Sequence, residues 1–400
     1  MRHRRMGAIA IAIAATVALT VAATTDAAHT AAAKGKPIVI GAAVDLTKNM
    51  APFDAPALEA AKIEIAKINA AGGVNGRPLA IKPLNDQLDP TQTKADATKL
   101  VGEGVNIGWV TCDVDYATPA IQTFLAAKML TVSPCIGTDQ MGPSRFGAAG
   151  QLAYTFGNPA QQDGAAMAEW AYNHGWKTAD VVTDKLLVYF QNVCTGFTDR
   201  FEQLGGKIVA QESFTQGDKT INNVATRVNG EKADVIAFCT SFGTDAPAFV
   251  DSLRTLNNST PILNGWASDG AYWWSKNPEI TNFYFLTYAS ALTPDPQAPV
   301  NAFEAKMKAI GAPAQTGGFI TGADTIDAIA YAIKKTGSTN GAKLAAVLSH
   351  LHKFQTLGGP ISFTPALHSP VGRPYRVIEV NNNRAKYLGL ITAKKIPNIH

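Results

Sequence analysis

The stretch Glu64–Pro90, EIAKINAAGGVNGRPLAIKPLNDQLDP, decides how the rest of the chain is read. Ile65 and Ile68 continue Leu58 and Ala61 at the i, i+3, i+7 and i+10 positions of one helix face. Gly72-Gly73 ends that helix, since a glycine just past the last turn takes the left-handed backbone at no steric cost. Leu79–Leu84 then reads as a strand, and Asp89-Pro90 opens another helix with proline where its missing N–H is not needed. Between them stand Asn85 and Asp86, a polar cluster at the carboxyl end of the strand that helix formation alone does not explain.

Outward from this stretch the alternation persists. Ile38–Val44 is a buried-strand run before it, and strands follow near Ile107–Thr111 and Met129–Ser133 with a helix between. A second series has strands near Asp180–Thr183, Lys207–Gln211, Asp234–Cys239, Pro261–Leu263 and Phe283–Thr287, with helices such as Thr195–Leu204 and Ala246–Leu256 in the intervals. Strands alternating with helices imply mostly parallel sheets covered on both faces, and two such series imply two lobes. A proline-rich link (Thr293–Pro299), helices over Ala302–Ile310, Ile320–Lys335 and Ala342–His350, and a β-rich tail over Ile361–Val380 complete both.

The first residues are not part of that pattern. Arg2, Arg4 and Arg5 precede an apolar, alanine-rich run, Ala8–Ala23, and small residues continue to Ala33. This is the pattern of a secretory signal peptide over 1–33, cleaved somewhere between Ala23 and Ala33. The first cysteine is Cys112, so a lipid-anchored amino terminus is not expected, and the mature protein is expected to be soluble and extracytoplasmic. Without residues 1–33, three arginines and one aspartate are lost and the formal charge falls from +4 to +2. Such a balance gives no reason to expect nucleic acid or an anionic membrane as partner. Four cysteines in an oxidising compartment allow up to two disulfides in any of three connectivities, and the lack of a CxxC pair argues against zinc.

Catalytic motifs are missing where they would be sought. In GWASDG, Gly265 precedes Ser268 by three residues, which fails the GxSxG elbow. GEGVNIG, Gly102–Gly108, misses the dinucleotide fingerprint by one residue and precedes a strand where that fingerprint follows one. His350 and His352 lie two apart on a helix end and face different directions, and no phosphate-binding loop of the GxxxxGK[ST] type occurs. An α/β enzyme is therefore the weaker reading, and no cofactor is expected.

The segment Gly41–Pro90, GAAVDLTKNMAPFDAPALEAAKIEIAKINAAGGVNGRPLAIKPLNDQLDP, resembles the amino-terminal signature of the leucine/isoleucine/valine-binding family of periplasmic proteins. The likeness continues in order through VSP (Val132–Pro134), LGGKIV (Leu204–Val209), ADVIAF (Ala233–Phe238) and GPISF (Gly359–Phe363). The resemblance implies a type I periplasmic-binding-protein fold: two α/β lobes, each with a mostly parallel sheet flanked by helices, joined by three crossovers. Lobe one is expected from 36–153 and 291–353, lobe two from 154–290 and 354–400. It further implies a monomeric substrate-binding protein that captures a small solute, an amino acid of branched-chain type or a related amide or aromatic compound. The partner is the membrane permease of an ABC importer; a sensor domain for a signalling partner shares the fold. Asn85, Asp86 and Asp89 then lie at the cleft rim or in a solvated loop where Asp89 caps the next helix.

Site residues follow from the same resemblance. The loop TCDVDYATPA, Thr111–Ala120, stands where the family offers a serine and backbone N–H groups to the ligand carboxylate, and here Asp113 occupies the serine's place. A second carboxylate about 4 Å from a bound one costs about 4 kcal/mol at an effective dielectric near 20, against about 8 kcal/mol for a micromolar ligand. Either Asp113 turns away and caps the helix, or the ligand has no carboxylate there. SPCIGTD supplies Ser133, Cys135, Ile136, Gly137 and Thr138, and Cys112 and Cys135 end neighbouring strands, within reach of a disulfide. From lobe two come Tyr189, Phe242, Trp266 and Asp269, with Asp269 either pairing with a ligand ammonium or capping a short helix. Cys194 and Cys239 allow a second disulfide within that lobe.

Overall fold

The computed structural model describes residues 35–241 and 243–399; the signal-peptide reading and Phe242 lie outside them. The first lobe runs β1 (Ile38–Val44), α1 (Ala51–Ala70), β2 (Leu79–Asn85), α2 (Pro90–Gly102), β3 (Ile107–Val110), α3 (Val114–Ala126), β4 (Thr131–Ser133), α4 (Pro143–Phe146) and β5 (Ala153–Thr155). These five strands form one parallel sheet in the order β2-β1-β3-β4-β5. Pro83 sits in β2, at the sheet edge, where a strand loses nothing by lacking one N–H.

Crossing after β5, the chain continues through α5 (Ala160–Asn173), β6 (Thr178–Asp184), α6 (Val188–Gln203), β7 (Lys207–Phe214), α7 (Ile221–Gly230), β8 (Val235–Cys239), α8 (Asp245–Thr255), β9 (Ile262–Asn264) and β10 (Phe283–Thr287). It returns for α9 (Ala298–Ala309), α10 (Phe319–Thr336), α11 (Gly341–Leu348) and the hairpin β11 (Phe354–Thr356) and β12 (Gly359–Ile361). A third passage leads to β13 (Tyr375–Asn381) and β14 (Arg384–Ile391). The second sheet runs β14-β13-β10-β9-β8-β6-β7, parallel except where β13 joins β10 and β14 in antiparallel fashion. The chain therefore has the two mostly parallel lobes and three crossings that the sequence implies. Ile361 and Phe363 pack with Tyr154, Phe156 and the α10 core of lobe one, so the segment after 353 starts on lobe one and joins the second sheet only at Tyr375.

Apolar side chains cover both faces of the first sheet. Ile40, Trp109 and Val132 face α1, α10 and α11 on one side, while Val110 packs with Ala97 and Leu100 of α2 and with Ile121 and Phe124 of α3 on the other. Two helices begin earlier than their apolar spacing indicates. α1 starts at Ala51, and its first turns bury Phe53, Asp54, Pro56, Ala57 and Leu58 together, which erases the one-sided stripe that marks Leu58 onward. α6 starts at Val188, seven residues before Thr195, for the same reason: Tyr189, Phe190, Val193 and Cys194 are all buried.

The polar cluster after β2 ties the loop down. Asp89 caps α2 by accepting from the Gln92 N–H at 2.8 Å, and Asn85 Oδ1 accepts from the Leu46 N–H at 3.0 Å. Asp86 is fully buried, its Oδ1 accepting from the Leu88 N–H at 3.0 Å. None of the three lines the cleft cavity described below.

Two buried ion pairs clamp the crossings together. Arg376, on β13, forks onto Asp295 in the second crossing (Nε to Oδ2 2.8 Å, NH2 to Oδ1 2.9 Å) and donates to the Tyr288 carbonyl at 2.7 Å. Arg373, in the third, pairs with Asp324 of α10 at 2.9 Å and donates to the Phe156 carbonyl of the first at 2.6 Å. All four charged side chains are wholly excluded from solvent. The Arg376 pair is matched by fork geometry, while Arg373 reaches Asp324 through NH2 alone and Asp324 takes its other hydrogen bond from the Gly358 N–H at 3.1 Å.

Candidate functional site: the interlobe cleft

The lobes meet around a small cavity, about 30 Å³, bordered from lobe one by Met50, Phe53, Cys112, Asp113, Val114, Ile136, Gly137 and Thr138. Lobe two contributes Leu187, Tyr189, Phe190, Ser241, Trp266 and Ala267. A space of that size holds about two water molecules, so the lobes are in a closed arrangement and have to part to admit anything larger. Three contacts across the cleft define that closure. The Tyr189 ring lies against Gly137, where an added Cβ would come within 2.5 Å of Cε2. Phe53 meets Trp266 edge-on with ring centroids 4.9 Å apart. Asp115 of α3 accepts from the Val188 N–H of α6 at 3.1 Å.

Each wall is positioned by a buried carboxylate that the sequence reading did not single out. Asp54, in the first turn of α1, accepts from the Asp45 N–H at 3.0 Å, the Cys112 N–H at 2.9 Å and the Thr111 hydroxyl. It therefore ties the end of β1 to the loop that carries Cys112 and Asp113. Burial raises its carboxyl well above the usual carboxylate range, against the lowering effect of Thr111. In lobe two, Asp163 of α5 takes the hydroxyls of Tyr189 and Tyr375 and the Trp266 N–H at 3.2 Å. Burial pushes it up to about 6. One carboxylate thus fixes two of the cleft's aromatic rings, and Trp266 is stacked from behind by Tyr288 at 4.6 Å. A faint signal was present: Gln161, Gln162 and Asp163 open a helix otherwise rich in alanine, and all three are buried.

The residues expected at the site divide. Asp113, Ile136, Gly137, Thr138, Tyr189 and Trp266 are brought together at the cavity. Asp113 is both cap and wall: its Oδ1 accepts from the Asp115 and Tyr116 N–H groups at 2.9 and 3.1 Å, at the start of α3. Burial, then the Asp115 charge, raise its carboxyl to about 7. Ser133 does not line the cavity; its hydroxyl accepts from the Ile136 N–H at 3.1 Å and the Cys135 N–H at 3.3 Å and donates to the Thr111 carbonyl at 3.3 Å. It shapes the loop whose next residues do line the cavity.

Cys135 is behind that wall, bonded to Cys112, which borders the cavity; the Cα atoms are 4.8 Å apart. The second disulfide, Cys194–Cys239, joins α6 to the end of β8. Asp54, Cys112 and Cys135 place potential metal-ligand atoms within 4.8 Å of one another, but the sulfurs are spent on each other and offer no thiolate. Among the described residues no helix is long and apolar enough to cross a membrane.

Asp269 departs most from expectation. Rather than lining the cavity, its Oδ2 accepts from the Gly317 N–H at 2.5 Å, just before α10, and from the Thr287 hydroxyl at 2.7 Å, at the end of β10. Burial raises it to about 7, against those hydrogen bonds. The peptide that satisfies it lies 48 positions along the chain, beyond any local pattern. Of the tryptophans beside it, Trp273 turns inward and donates to the Ser268 carbonyl at 3.0 Å. Met50, Phe53, Val114, Leu187, Phe190, Ser241 and Ala267 complete the cavity without having been predicted from sequence as ligand contacts.

Known proteins share both fold and sequence with this chain. A family profile described as "Periplasmic binding protein" matches residues 37–385. The Leu/Ile/Val-binding protein BraC3 of Rhizobium johnstonii is 25% identical over 311 residues, 77% of this chain and 82% of the relative. An amino acid binding protein of Pseudomonas aeruginosa is 26% identical over 328 residues, 80% and 84% of the two chains. Among solved structures, LivJ of Streptococcus pneumoniae in complex with isoleucine superposes with a TM-score of 0.77 at 20% identity, covering 89% of this chain and 99% of that one. A Rhodopseudomonas palustris solute-binding protein in complex with 3,4-dihydroxy benzoic acid gives 0.75 at 20% identity, covering 90% and 99%. With a profile matching nearly its whole described length and a cleft between two lobes of that architecture, the chain belongs to the periplasmic binding protein family.

Proposed function

We propose that this protein is the exported receptor of an ABC importer, a monomer that captures a small solute between its lobes and hands it unchanged to a membrane permease. The observation that carries the reading is the cavity itself: both lobes supply its wall, so only the closed form satisfies a ligand on all sides. A ligand that binds the closed form best shifts the opening equilibrium toward it. Asp113, Ile136, Gly137, Thr138, Tyr189 and Trp266 are the contacts assigned to the solute, whose body meets apolar and aromatic walls and whose orientation is set by few polar groups. The relatives' names and the ligands of similar structures, isoleucine in one and an aromatic acid in another, support a branched-chain amino acid or a related amide or aromatic compound.

The test is a thermal-shift screen over amino acids, amides and aromatic acids, followed by X-ray scattering with each hit. A solute bound to the folded state raises the melting temperature, and it is expected to reduce the radius of gyration and be recovered chemically intact. Absence of compaction for every solute in the panel, or recovery of an altered compound, refutes the reading.

A further inference from the structure

Resting on that receptor reading, the cavity's chemistry narrows the solute. Asp113 is the only ionisable carboxylate among the described lining residues, and none of them is Lys, Arg or His. The one cation acting on Asp113 from nearby, Arg145, is itself paired with Asp115 at 2.8 Å and does not border the cavity. The Asp113 carboxylate is only half used. Both α3 N–H groups go to Oδ1, and Oδ2 has no hydrogen bond among the described residues. Capping by Asp113 also consumes the helix end that would otherwise favour an anion. Around it, among the described residues, stand four aromatic rings, Phe53, Tyr189, Phe190 and Trp266.

We infer that the solute presents an amino or ammonium group to Asp113, with an apolar body among the four rings, and carries no free carboxylate: an alkyl or aryl amine, or an amino-acid amide. A buried ammonium needs an anionic partner, and Asp113 is the one the cavity contains. Aromatic walls add attraction for a cation that apolar aliphatic walls lack. Against an anion the same aspartate is the repulsive element, so it selects by rejecting acids as well as by holding amines. Burial raises the Asp113 carboxyl to about 7, so an arriving cation also relieves a group held at an unfavourable ionisation.

Calorimetric titration of the full mature chain with leucine, leucinamide, 3-methylbutylamine, benzoate and benzylamine tests the assignment, because these probes keep the apolar body and change only the head group. Leucinamide and 3-methylbutylamine are expected to bind at least about tenfold tighter than leucine, and benzylamine likewise against benzoate. Asp113→Asn is expected to weaken the amines by about tenfold or more and to leave the acids equal or improved. Asparagine and serine both cap helices, so Asp113→Asn and Asp113→Ser should keep the unliganded melting temperature close to that of the parent.

Leucine or benzoate binding as tightly as the matched amine overturns the inference, as does amine affinity unchanged by both substitutions, or binding of none of the five probes. In each case the receptor reading is judged separately, by whether any solute of the wider panel compacts the protein.

Discussion

At the hinge, Asp295 and Asp324 each face an arginine and are satisfied by forked or backbone partners; in the cleft, Asp113 faces no base and keeps an oxygen free among the described residues. Both regions are buried, and both lie where the lobes meet. A fully matched carboxylate holds a geometry, since breaking it leaves a charge without solvent or partner. A half-matched one is stable only as a cap and has capacity left for something that arrives. The contrast separates residues that keep the two lobes in register from one that leaves an acceptor open at the cleft.

The hinge should break hardest. Asp324→Ala leaves Arg373 buried with no counter-charge and is expected to lower unfolding free energy by about 3–5 kcal/mol in denaturant titration. Replacing both partners by apolar residues, Asp324→Leu with Arg373→Met, should recover most of that loss. A double variant as unstable as the single one would show that the pair holds the crossings by more than charge balance.

A cleft substitution should act on closure and spare stability. Gly137→Ala puts a Cβ against the Tyr189 ring at 2.5 Å, a contact made only when the lobes are shut. The open form should gain at the closed form's expense, with solute affinity falling by about tenfold, or 1.4 kcal/mol, and a larger radius of gyration. Affinity equal to the parent would mean that Tyr189 yields and that this contact does not set the closed geometry.

The smallest effect is the pH response. Asp113, Asp163 and Asp269 have folded-state pKa values raised by burial to about 7, about 6 and about 7, and burial also raises Asp54 well above the usual carboxylate range. Their contribution to stability is complete below the unfolded carboxylate value and is lost as pH rises through the folded values, because the folded form then ionises reluctantly. His368 has the opposite slope: burial lowers its pKa, so its contribution is lost as pH falls below the ordinary histidine range. The melting temperature is expected to be higher near pH 5 than at pH 8, by at least about 3 °C. A melting temperature that climbs steadily to pH 8 would contradict this account of the buried acids.

How much of this was legible in sequence follows from distance along the chain. Alternating strands and helices, the Asp89 and Asp113 caps, and the closeness of Cys112 to Cys135 all depend on short-range spacing or on neighbouring strands. The second disulfide and the aromatic network depend on folding that brings remote segments together. Asp163 is held by Tyr189 and Tyr375, 26 and 212 positions away, and nothing in its own helix announces them. Asp269 sits in a loop of the expected composition, but its partner Gly317 lies 48 positions away, just before α10, where no local spacing reveals it. Phe53 and Met50 were hidden by a helix start that buries too many sides to show a stripe.

Cys112 borders the cleft cavity, and its bond to Cys135 anchors that wall from behind. Thiols at those two positions would leave the ends of β3 and β4 held by strand pairing and by the Ser133 hydroxyl on the Thr111 carbonyl, without a covalent tie. The cleft wall is therefore braced by a covalent bond as well as by folding, a brace that only an oxidising compartment maintains.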